Sequence, residues 1–322
     1  MLIENQHPDN CSMVVSVLGA PNVGKSSLVN YLLGMDLSIV SSRPQTTRNK
    51  FLCIYTVDRT EIVLVDTPGL HKSHLELNKR INEQAIEASD GVDLNLLLID
   101  LNLPVLEQIN NYKKLSEKEL GPTWLVFTKS DRIDDVDSLP LDEVMEKAKE
   151  IYASIERYFV VSTKSGDGVH ELTGALCDKA PNGPHLFPGG EISNKNERFF
   201  VTEYIREQAF EKLKDELPYE LAVTIEEYNT KKQLDDSLMS HISATILVNR
   251  PSQRAIVVGS KGSMIKEIGT CARKKIELMT GHPVHLNLHV KVSPKWFKNN
   301  FVLEELGLPR AKNSNRVWRK RD

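Results

Sequence analysis

The sequence predicts an α/β fold in which a doubly wound, mostly parallel sheet is followed by a smaller α+β domain. Strand-like and helix-like stretches alternate over residues 12–180, and residues 181–196 are rich in Pro and Gly without any periodicity. The chain beyond them has the order helix, strand, strand, helix, helix, strand. We therefore predict a first domain at 1–180, a linker at 181–196, a second domain at 197–300 and a basic C-terminal tail at 301–322.

We predict the helices and strands from the spacing of apolar residues and from the turn residues between them. The predicted strands of the first domain are Val14–Leu18, Lys50–Thr56, Glu61–Asp66, Leu94–Asp100, Thr123–Thr128 and Tyr158–Ser162. Its predicted helices are Ser26–Leu33, Glu76–Ser89, Leu106–Glu119 and Leu141–Tyr152. In the second domain we predict a helix at Arg198–Leu213, strands at Leu221–Tyr228, Ser243–Val248 and Val284–Val292, and two helices within residues 251–281.

Composition excludes several classes of protein. The 322 residues are 40% hydrophobic and 26% charged, and no run of eighteen apolar residues occurs. The four cysteines are scattered without metal-ligand spacing, and no secretory leader is visible, so we expect a cytoplasmic protein with reduced thiols. The net charge of −3 divides into −9 for residues 1–196 and +6 for residues 197–322. This asymmetry favours a polyanion partner for the second domain.

Residues 19–26 fit the phosphate-loop pattern G-x-x-x-x-G-K-[ST] directly after an apolar strand. Glycines at 19 and 24 let backbone N–H groups turn toward phosphate oxygens, Lys25 supplies a charge, and Ser26 supplies a hydroxyl to Mg²⁺. The chain is therefore expected to bind a nucleoside triphosphate. The candidate residues of this loop are Gly19, Asn22, Val23, Gly24, Lys25, Ser26 and Ser27.

Three further segments begin at or near predicted strand ends, where ligands of such sheets bind. Asp66-Thr-Pro-Gly69 places a carboxylate for outer-shell Mg²⁺ binding and a glycine for the γ-phosphate. Thr128-Lys129-Ser-Asp131 offers an Asp that can accept from both N–H groups of guanine, so it selects GTP over ATP. Backbone groups of Ser162, Thr163 and Lys164 are candidates for the guanine carbonyl.

Gly259-Ser260-Lys261-Gly262 joins two apolar helices that are rich in Lys and Arg. Glycines at both ends let a nucleic-acid backbone approach closely while a lysine meets phosphate, which indicates a single-stranded RNA site. Nearby apolar side chains such as Ile265 fit a helix core, a floor for bases, or both roles. The candidate RNA-binding residues are Gly259, Ser260, Lys261, Gly262, Lys266 and Arg273.

The order of these motifs resembles the translation-factor-like GTPases of the Ras-type superfamily, and the resemblance covers the whole first domain. Their guanine motif is Asn-Lys-x-Asp, whereas this chain has Thr128 in the first position, and Thr163 replaces the usual Ala of the last motif. Arg43-Pro-Gln-Thr-Thr-Arg48 is similar to the effector loop of the Era group. That similarity implies Thr47, with Thr46 as the alternative, as the hydroxyl that closes over Mg²⁺ and the γ-phosphate.

The second domain resembles a type II KH domain, and a GTPase domain followed by such a module is similar to the Era family over nearly the whole chain. The resemblance implies a Mg²⁺-dependent GTPase, with GTP and GDP as ligands, that binds the 3′ end of 16S ribosomal RNA and assists assembly of the 30S subunit. It further implies a monomer, and it raises K⁺ near Asn22 as an additional cofactor. It also raises a peripheral contact with the inner membrane, which no motif of this sequence tests.

Catalysis is expected to rest on Lys25 and Thr47. Leu70 follows the Asp-x-x-Gly motif where many GTPases carry a water-positioning Gln, and Leu cannot hydrogen-bond. His71 comes next on the same loop, where a solvated histidine is the simpler interpretation. Two rival functions remain open: a GTPase of tRNA modification, for which no second catalytic group is visible, and an RNA-binding scaffold with negligible turnover.

Overall fold

The computed structural model describes residues 6–41, 43, 46–71, 76–233 and 235–308. The chain forms two compact units, and each contains more than one stretch of sequence. The first unit comprises Met1–Ser38, Thr47–Ser73 and Ile81–Asn194, and the second comprises Ile39–Thr46, His74–Arg80 and Lys195–Asp322. The predicted class is confirmed: a mostly parallel α/β sheet precedes an α+β module.

The first unit is built on a six-stranded sheet with the order β2-β3-β1-β4-β5-β6. Its strands are β1 (Cys11–Gly19), β2 (Phe51–Val57), β3 (Thr60–Asp66), β4 (Leu94–Asp100), β5 (Thr123–Thr128) and β6 (Ile155–Val160). Its helices are α1 (Lys25–Leu33), the part of α2 (Glu76–Glu87) from Ile81 onward, α3 (Val105–Ser116), α4 (Leu141–Ile151) and α5 (Val169–Lys179). Of these, α5 had not been predicted.

The register of the sheet brings the motifs to one edge. In the parallel pairs, Val17 lies opposite Asp66, Gly19 opposite Leu98, and Asp100 opposite Thr128. Of the described strands in this sheet, only β2 runs antiparallel. Every residue of β4 is buried, as expected for a central parallel strand covered on both faces. The carboxyl ends of β1, β3, β4 and β5 therefore meet where a ligand of such a fold binds.

The Pro- and Gly-rich segment that we predicted as a linker is held along the first unit up to Asn194. Asn182 forms an isolated bridge with Cys11, and Ser193 forms one with Cys53 of the edge strand β2. The Asn194 side chain also accepts a hydrogen bond from the Leu52 amide at 2.9 Å. Backbone groups at an open sheet edge need partners, and this irregular segment supplies them.

The second unit contains α6 (Glu197–Lys212), β7 (Ala222–Lys232), β8 (Leu238–Val248), α7 (Pro251–Val258), α8 (Ser263–Thr280) and β9 (Val284–Val292), in the predicted order. Strands β7 and β8 are antiparallel, and β9 joins β8 in parallel. Alternate residues of β9 are exposed, so one face of this sheet packs inward and the other faces water. The buried residues Val257, Ile268, Ala272 and Ile276 place α7 and α8 on the inward face.

A short helix, α9 (Asn300–Glu305), occupies the start of the predicted basic tail. Leu303 and Leu308 are buried there, so the hydrophobic effect keeps these residues in the second unit. The Arg316–Arg321 portion of the tail lies outside the described residues. Among the helices that the structure describes, none is long and apolar enough to cross a membrane.

Candidate functional sites

The phosphate loop runs from the end of β1 into α1, and its backbone needs positive φ angles at Gly19, Asn22 and Gly24. A Cβ atom at Gly19 would lie 2.7 Å from the carbonyl oxygen of Leu98, so the neighbouring strand requires glycine there. Asn tolerates a left-handed conformation better than most residues, which accounts for Asn22. The predicted strand, loop and helix context of the motif is therefore present.

Lys25 begins α1 and is buried with 6% of its surface exposed. Its Nζ donates to the carbonyl oxygens of Ala20 at 2.7 Å and Gly19 at 3.2 Å, so the charge is held within the phosphate loop itself. Burial lowers the pKa of Lys25 to about 8, and the nearby Asp66 carboxylate partly opposes that shift. An anionic ligand in the loop would supply the compensating negative charge.

One hydrogen-bonded cluster joins three predicted residues of the nucleotide site: Ser26, Thr47 and Asp66. The hydroxyl oxygens of Ser26 and Thr47 are 3.0 Å apart, and Ser26 donates to Asp66 Oδ2 at 3.3 Å. Ser38 also donates to Asp66 Oδ2 at 2.8 Å. The prediction named the first three residues but missed Ser38, which lies 28 positions from its partner and belongs to no recognisable motif.

The Asp66 carboxylate is fully buried, and within the described part of the chain its Oδ1 atom has no hydrogen-bond partner. Burial raises the pKa of Asp66, although bonds from Ser38 and the charge of Lys25 act in the other direction. An unpaired buried carboxylate oxygen beside two hydroxyl groups fits Mg²⁺, which prefers oxygen ligands. These residues therefore fit the ion that the phosphate loop implies.

The loop after Asp66 approaches the phosphate loop closely. A Cβ atom at Gly69 would lie 2.5 Å from the Pro21 nitrogen, so only glycine fits. Leu70 is buried in a hydrophobic cluster of this unit. His71, expected to be solvated, is half-buried: its Nδ1 is 3.0 Å from Gly69 O, and its buried Nε2 has no hydrogen-bond partner among the described residues.

The candidate base pocket follows β5. Lys129 adopts a left-handed conformation and forms an ion pair with Asp100 at 2.6 Å. Burial alone would raise the pKa of Asp100, but hydrogen bonds from Lys129 and Asn102 outweigh it and lower that pKa. Sequence reasoning predicted Lys129 but missed Asp100 and Asn102. These two residues lie at the end of a different strand, β4, and in the turn that follows it.

Asp131 is positioned by the segment that follows β6. The buried Ser162 hydroxyl donates to Asp131 Oδ1 at 2.7 Å and accepts from the Lys164 and Ser165 amides. The Lys164 ammonium is 3.9 Å from Asp131 Oδ2 and is largely exposed. Thr163 is half-buried between them. Ser162 therefore orients the carboxylate through its side chain, a role that differs from the predicted backbone contact with guanine.

The candidate RNA interface begins at the loop between α7 and α8. Gly259, Lys261 and Gly262 have positive φ angles of 73°, 50° and 80°. A Cβ atom at Gly259 would lie 2.7 Å from the Met264 Cβ atom, whereas no described residue lies within 4 Å of one at Gly262. Packing thus requires the first glycine, and the second leaves open space for a backbone to approach.

A cavity of about 290 Å³ lies between α8 and β9. Its lining is Ile265, Lys266, Gly269, Thr270, Arg273, Val284, His285, Leu286 and Leu288. The predicted residues Lys266 and Arg273 are among them, and the four residues of the glycine loop are not. The contribution of β9 was missed, because its alternating apolar pattern had indicated only a strand. An apolar floor flanked by two cations suits an unstacked base and its phosphate.

Two family models match the chain. A model described as a 50S ribosome-binding GTPase matches residues 14–129, and one described as a KH domain matches residues 216–297. The first model includes the phosphate loop, Asp66–Gly69 and Lys129 but ends before Asp131 and Ser162, and the second includes the glycine loop and the cavity.

Relatives named GTPase Era match over nearly their full length. The protein from Carboxydothermus hydrogenoformans is 35% identical over 293 residues, which cover 91% of this chain and 96% of the relative. The protein from Erythrobacter litoralis is 39% identical over 299 residues, which cover 92% of this chain and 96% of the relative.

Solved structures agree with the sequence matches. A crystal structure of Era with MgGDPNP and nucleotides 1506–1542 of 16S ribosomal RNA has a TM-score of 0.82 and 30% identity, and covers 94% of this chain and 100% of its own. A point variant of Aquifex aeolicus Era bound to GDP·AlF4⁻ has the same TM-score of 0.82 at 32% identity, with 93% and 100% covered. The chain belongs to the Era family and is a GTPase with a KH RNA-binding domain.

Proposed function

We propose that this GTPase binds the 3′ end of 16S ribosomal RNA through its second domain and assists assembly of the 30S subunit. The observation that carries the proposal is the match over 94% of the chain to an Era structure that holds MgGDPNP and nucleotides 1506–1542 of that RNA. The basic side chains of Lys266 and Arg273 beside an apolar cavity support it from this chain's own chemistry. We place the functional domains at 1–180 and 197–300 and take the protein as a cytoplasmic monomer.

In the proposed nucleotide site, the loop at residues 19–27 holds the phosphates through backbone N–H groups and the N-terminal end of α1. Lys25 exchanges its carbonyl partners for the β- and γ-phosphates, and its ammonium stabilises the negative charge that develops during hydrolysis. Asp131 accepts both N–H groups of the guanine edge while Ser162 holds the carboxylate in place.

Ser26, Thr47 and Asp66 are the residues that would hold Mg²⁺ in this site. The ion neutralises phosphate charge and orients the triphosphate when it is bound. Thr47 contributes from the loop between α1 and β2, so loss of the γ-phosphate would release that loop, as in other GTPase switches. The K⁺ ion near Asn22 remains a prediction.

A binding assay tests the RNA assignment. A labelled single-stranded oligonucleotide with the sequence of the 16S 3′ end is titrated with the full chain in a non-hydrolysable GTP analogue, and a scrambled oligonucleotide of equal length serves as the control. We expect binding at least ~10-fold tighter to the 3′-end sequence, a modest threshold for specific recognition. Equal affinity for both would remove the 16S assignment while leaving the GTPase assignment intact.

Assembly is tested separately in cells. Depletion of the protein should raise the ratio of free 30S precursors to 70S ribosomes in a sucrose gradient, and the Lys25→Ala chain should fail to restore it. Normal subunit profiles after depletion would contradict a role in assembly without affecting RNA binding.

A further inference from the structure

Thr128 stands at the position where the family's guanine motif has Asn, and the structure shows what its side chain does. It is the last residue of β5 and is buried, with 4% of its surface exposed. Its hydroxyl oxygen lies 2.7 Å from the Val23 carbonyl oxygen and 3.2 Å from the Ile99 carbonyl oxygen. Both neighbours are hydrogen-bond acceptors, so the hydroxyl must be the donor.

A threonine hydroxyl carries one hydrogen, whereas an asparagine amide carries two. The single hydrogen of Thr128 is engaged with a main-chain carbonyl, and the shorter distance assigns it to Val23 in the phosphate loop. Gly24 of that loop packs on the same side chain, since a Cβ atom there would lie 3.8 Å from Thr128 Cβ. Thr128 is therefore bonded to the phosphate loop and has no second hydrogen for the base.

The guanine ring presents two different edges to a pocket. Its N1–H and exocyclic amine are donors, and they match the Asp131 carboxylate that Ser162 orients. Its N7 and O6 atoms are acceptors, and they need a donor from the protein. A hydroxyl whose hydrogen is already bonded offers N7 only oxygen lone pairs, which repel it.

We propose that Thr128 is a positioning residue for the phosphate loop and makes no hydrogen bond to N7, so that this GTPase recognises guanine without a donor to N7 from this position. The inference rests on the proposed placement of the base beside Asp131. It predicts that the enzyme tolerates 7-deazaguanine nucleotides, in which a C–H group replaces N7, better than a variant with the family's usual asparagine.

The test measures dissociation constants of GTP and 7-deaza-GTP by competition against a fluorescent GDP, using the full chain. The wild type should bind the two within about 2-fold of each other, below the smallest effect of one typical hydrogen bond. Thr128→Asn restores a second N–H donor and should prefer GTP by roughly 2- to 12-fold, the range for one such bond. If the wild type itself prefers GTP over 7-deaza-GTP by that factor, the proposal is overturned.

Two further variants test the role in the phosphate loop. Thr128→Val keeps the shape but leaves the Val23 carbonyl unpaired, and should weaken both nucleotides by roughly 5-fold or more with their ratio unchanged. Thr128→Ser keeps the hydroxyl and should restore binding to within about 3-fold of the wild type. A Val variant that binds both nucleotides as tightly as the wild type would refute the positioning role, and one that changes the ratio would show that Thr128 contacts N7.

Asp131→Asn separates this inference from the assignment on which it rests. If that variant retains wild-type affinity for GTP, the base does not lie beside Asp131 and the proposed guanine pocket itself is wrong. If it loses GTP while the wild type discriminates against 7-deaza-GTP, the pocket stands and only the role given to Thr128 fails.

Discussion

The nucleotide site and the RNA cavity hold their charged groups in opposite ways. Lys25 and Asp66 are buried, and each is fixed by short hydrogen bonds to the loop or to hydroxyl groups. Lys266 and Arg273 are exposed on α8 at the border of an open cavity. The first arrangement suits catalysis, since preorganised charges act strongly where water is excluded. The second arrangement suits attraction of a polyanion, and this attraction weakens as the salt concentration rises.

This contrast predicts different consequences of substitution. Removal of a buried, positioned group should change rate and nucleotide specificity, whereas removal of an exposed cation should change RNA affinity alone. The following experiments are ordered by the size of the expected effect.

Lys25→Ala should lower kcat/KM for GTP by roughly 10²- to 10³-fold, the range for loss of one group that stabilises transition-state charge. Lys25→Arg keeps the positive charge and serves as a control that separates charge from geometry. Steady-state phosphate release at saturating Mg²⁺ provides the measurement, with thermal unfolding as a check of folding. Wild-type turnover in a folded Ala variant would contradict the phosphate-loop assignment.

The lowered pKa of Lys25 makes the nucleotide-free protein pH-sensitive. Its pKa is about 8 when folded, against a usual value of 10.5, so between these values the unfolded state binds more protons and stability rises with pH. Relative to Lys25→Met, the wild type should gain up to ~3 kcal/mol of unfolding free energy as the pH rises from about 7.5 to about 10.5. Denaturant unfolding at several pH values tests this, and parallel profiles would show that Lys25 is not desolvated.

Asp131→Asn should weaken GTP binding by roughly 10²-fold, because a charge-assisted pair of hydrogen bonds is lost. The new amide can donate to the xanthine oxygen, so affinity for xanthosine triphosphate should increase. Competition titrations with both nucleotides give the ratio directly. Unchanged selectivity would place the base elsewhere.

Gly262→Asp should weaken RNA binding by about 10-fold or more while GTP hydrolysis stays intact, since the carboxylate faces phosphate. We prefer this site to Gly259, where any Cβ atom would contact Met264 and the fold would be disturbed. Gly262→Asn is the matched control, because Asn has the same size and tolerance for positive φ without the charge. If Asp and Asn weaken binding equally, the loss is steric and phosphate does not lie at this glycine.

Arg273→Ala and Lys266→Ala should each produce a smaller loss of RNA affinity and reduce the slope of log affinity against log salt by about 0.7, the value for one single-strand phosphate contact. Lys274→Ala removes a neighbouring exposed cation that does not line the cavity, and its slope should stay at the wild-type value. Fluorescence anisotropy across a salt series distinguishes the three. Equal slopes for Arg273→Ala and Lys274→Ala would mean that the cavity is not the RNA site.

The strands were predicted best where burial forces an apolar run. Leu94–Asp100, Thr123–Thr128 and Val284–Val292 have the predicted bounds. The prediction was poorer at β6, whose first residues Ile155-Glu-Arg include exposed charges because it is an edge strand. Strand β7 extends beyond its apolar residues to Lys232, since hairpin hydrogen bonds require no hydrophobic side chain, and its partner β8 begins at Leu238, before the predicted Ser243.

By itself the sequence determined the order of elements other than α5, the two kinds of domain and the motifs of the nucleotide site, because these depend on local periodicity and on residue spacing within one loop. Tertiary structure alone decided which groups meet: Ser38 with Asp66, Asp100 with Lys129, Ser162 with Asp131, and β9 with α8. Tertiary structure also decided that the Thr128 hydroxyl donates its hydrogen bond to Val23 of the phosphate loop. Such contacts join residues far apart in the chain, and no local pattern records them, because side-chain direction and strand register are fixed only when the core packs.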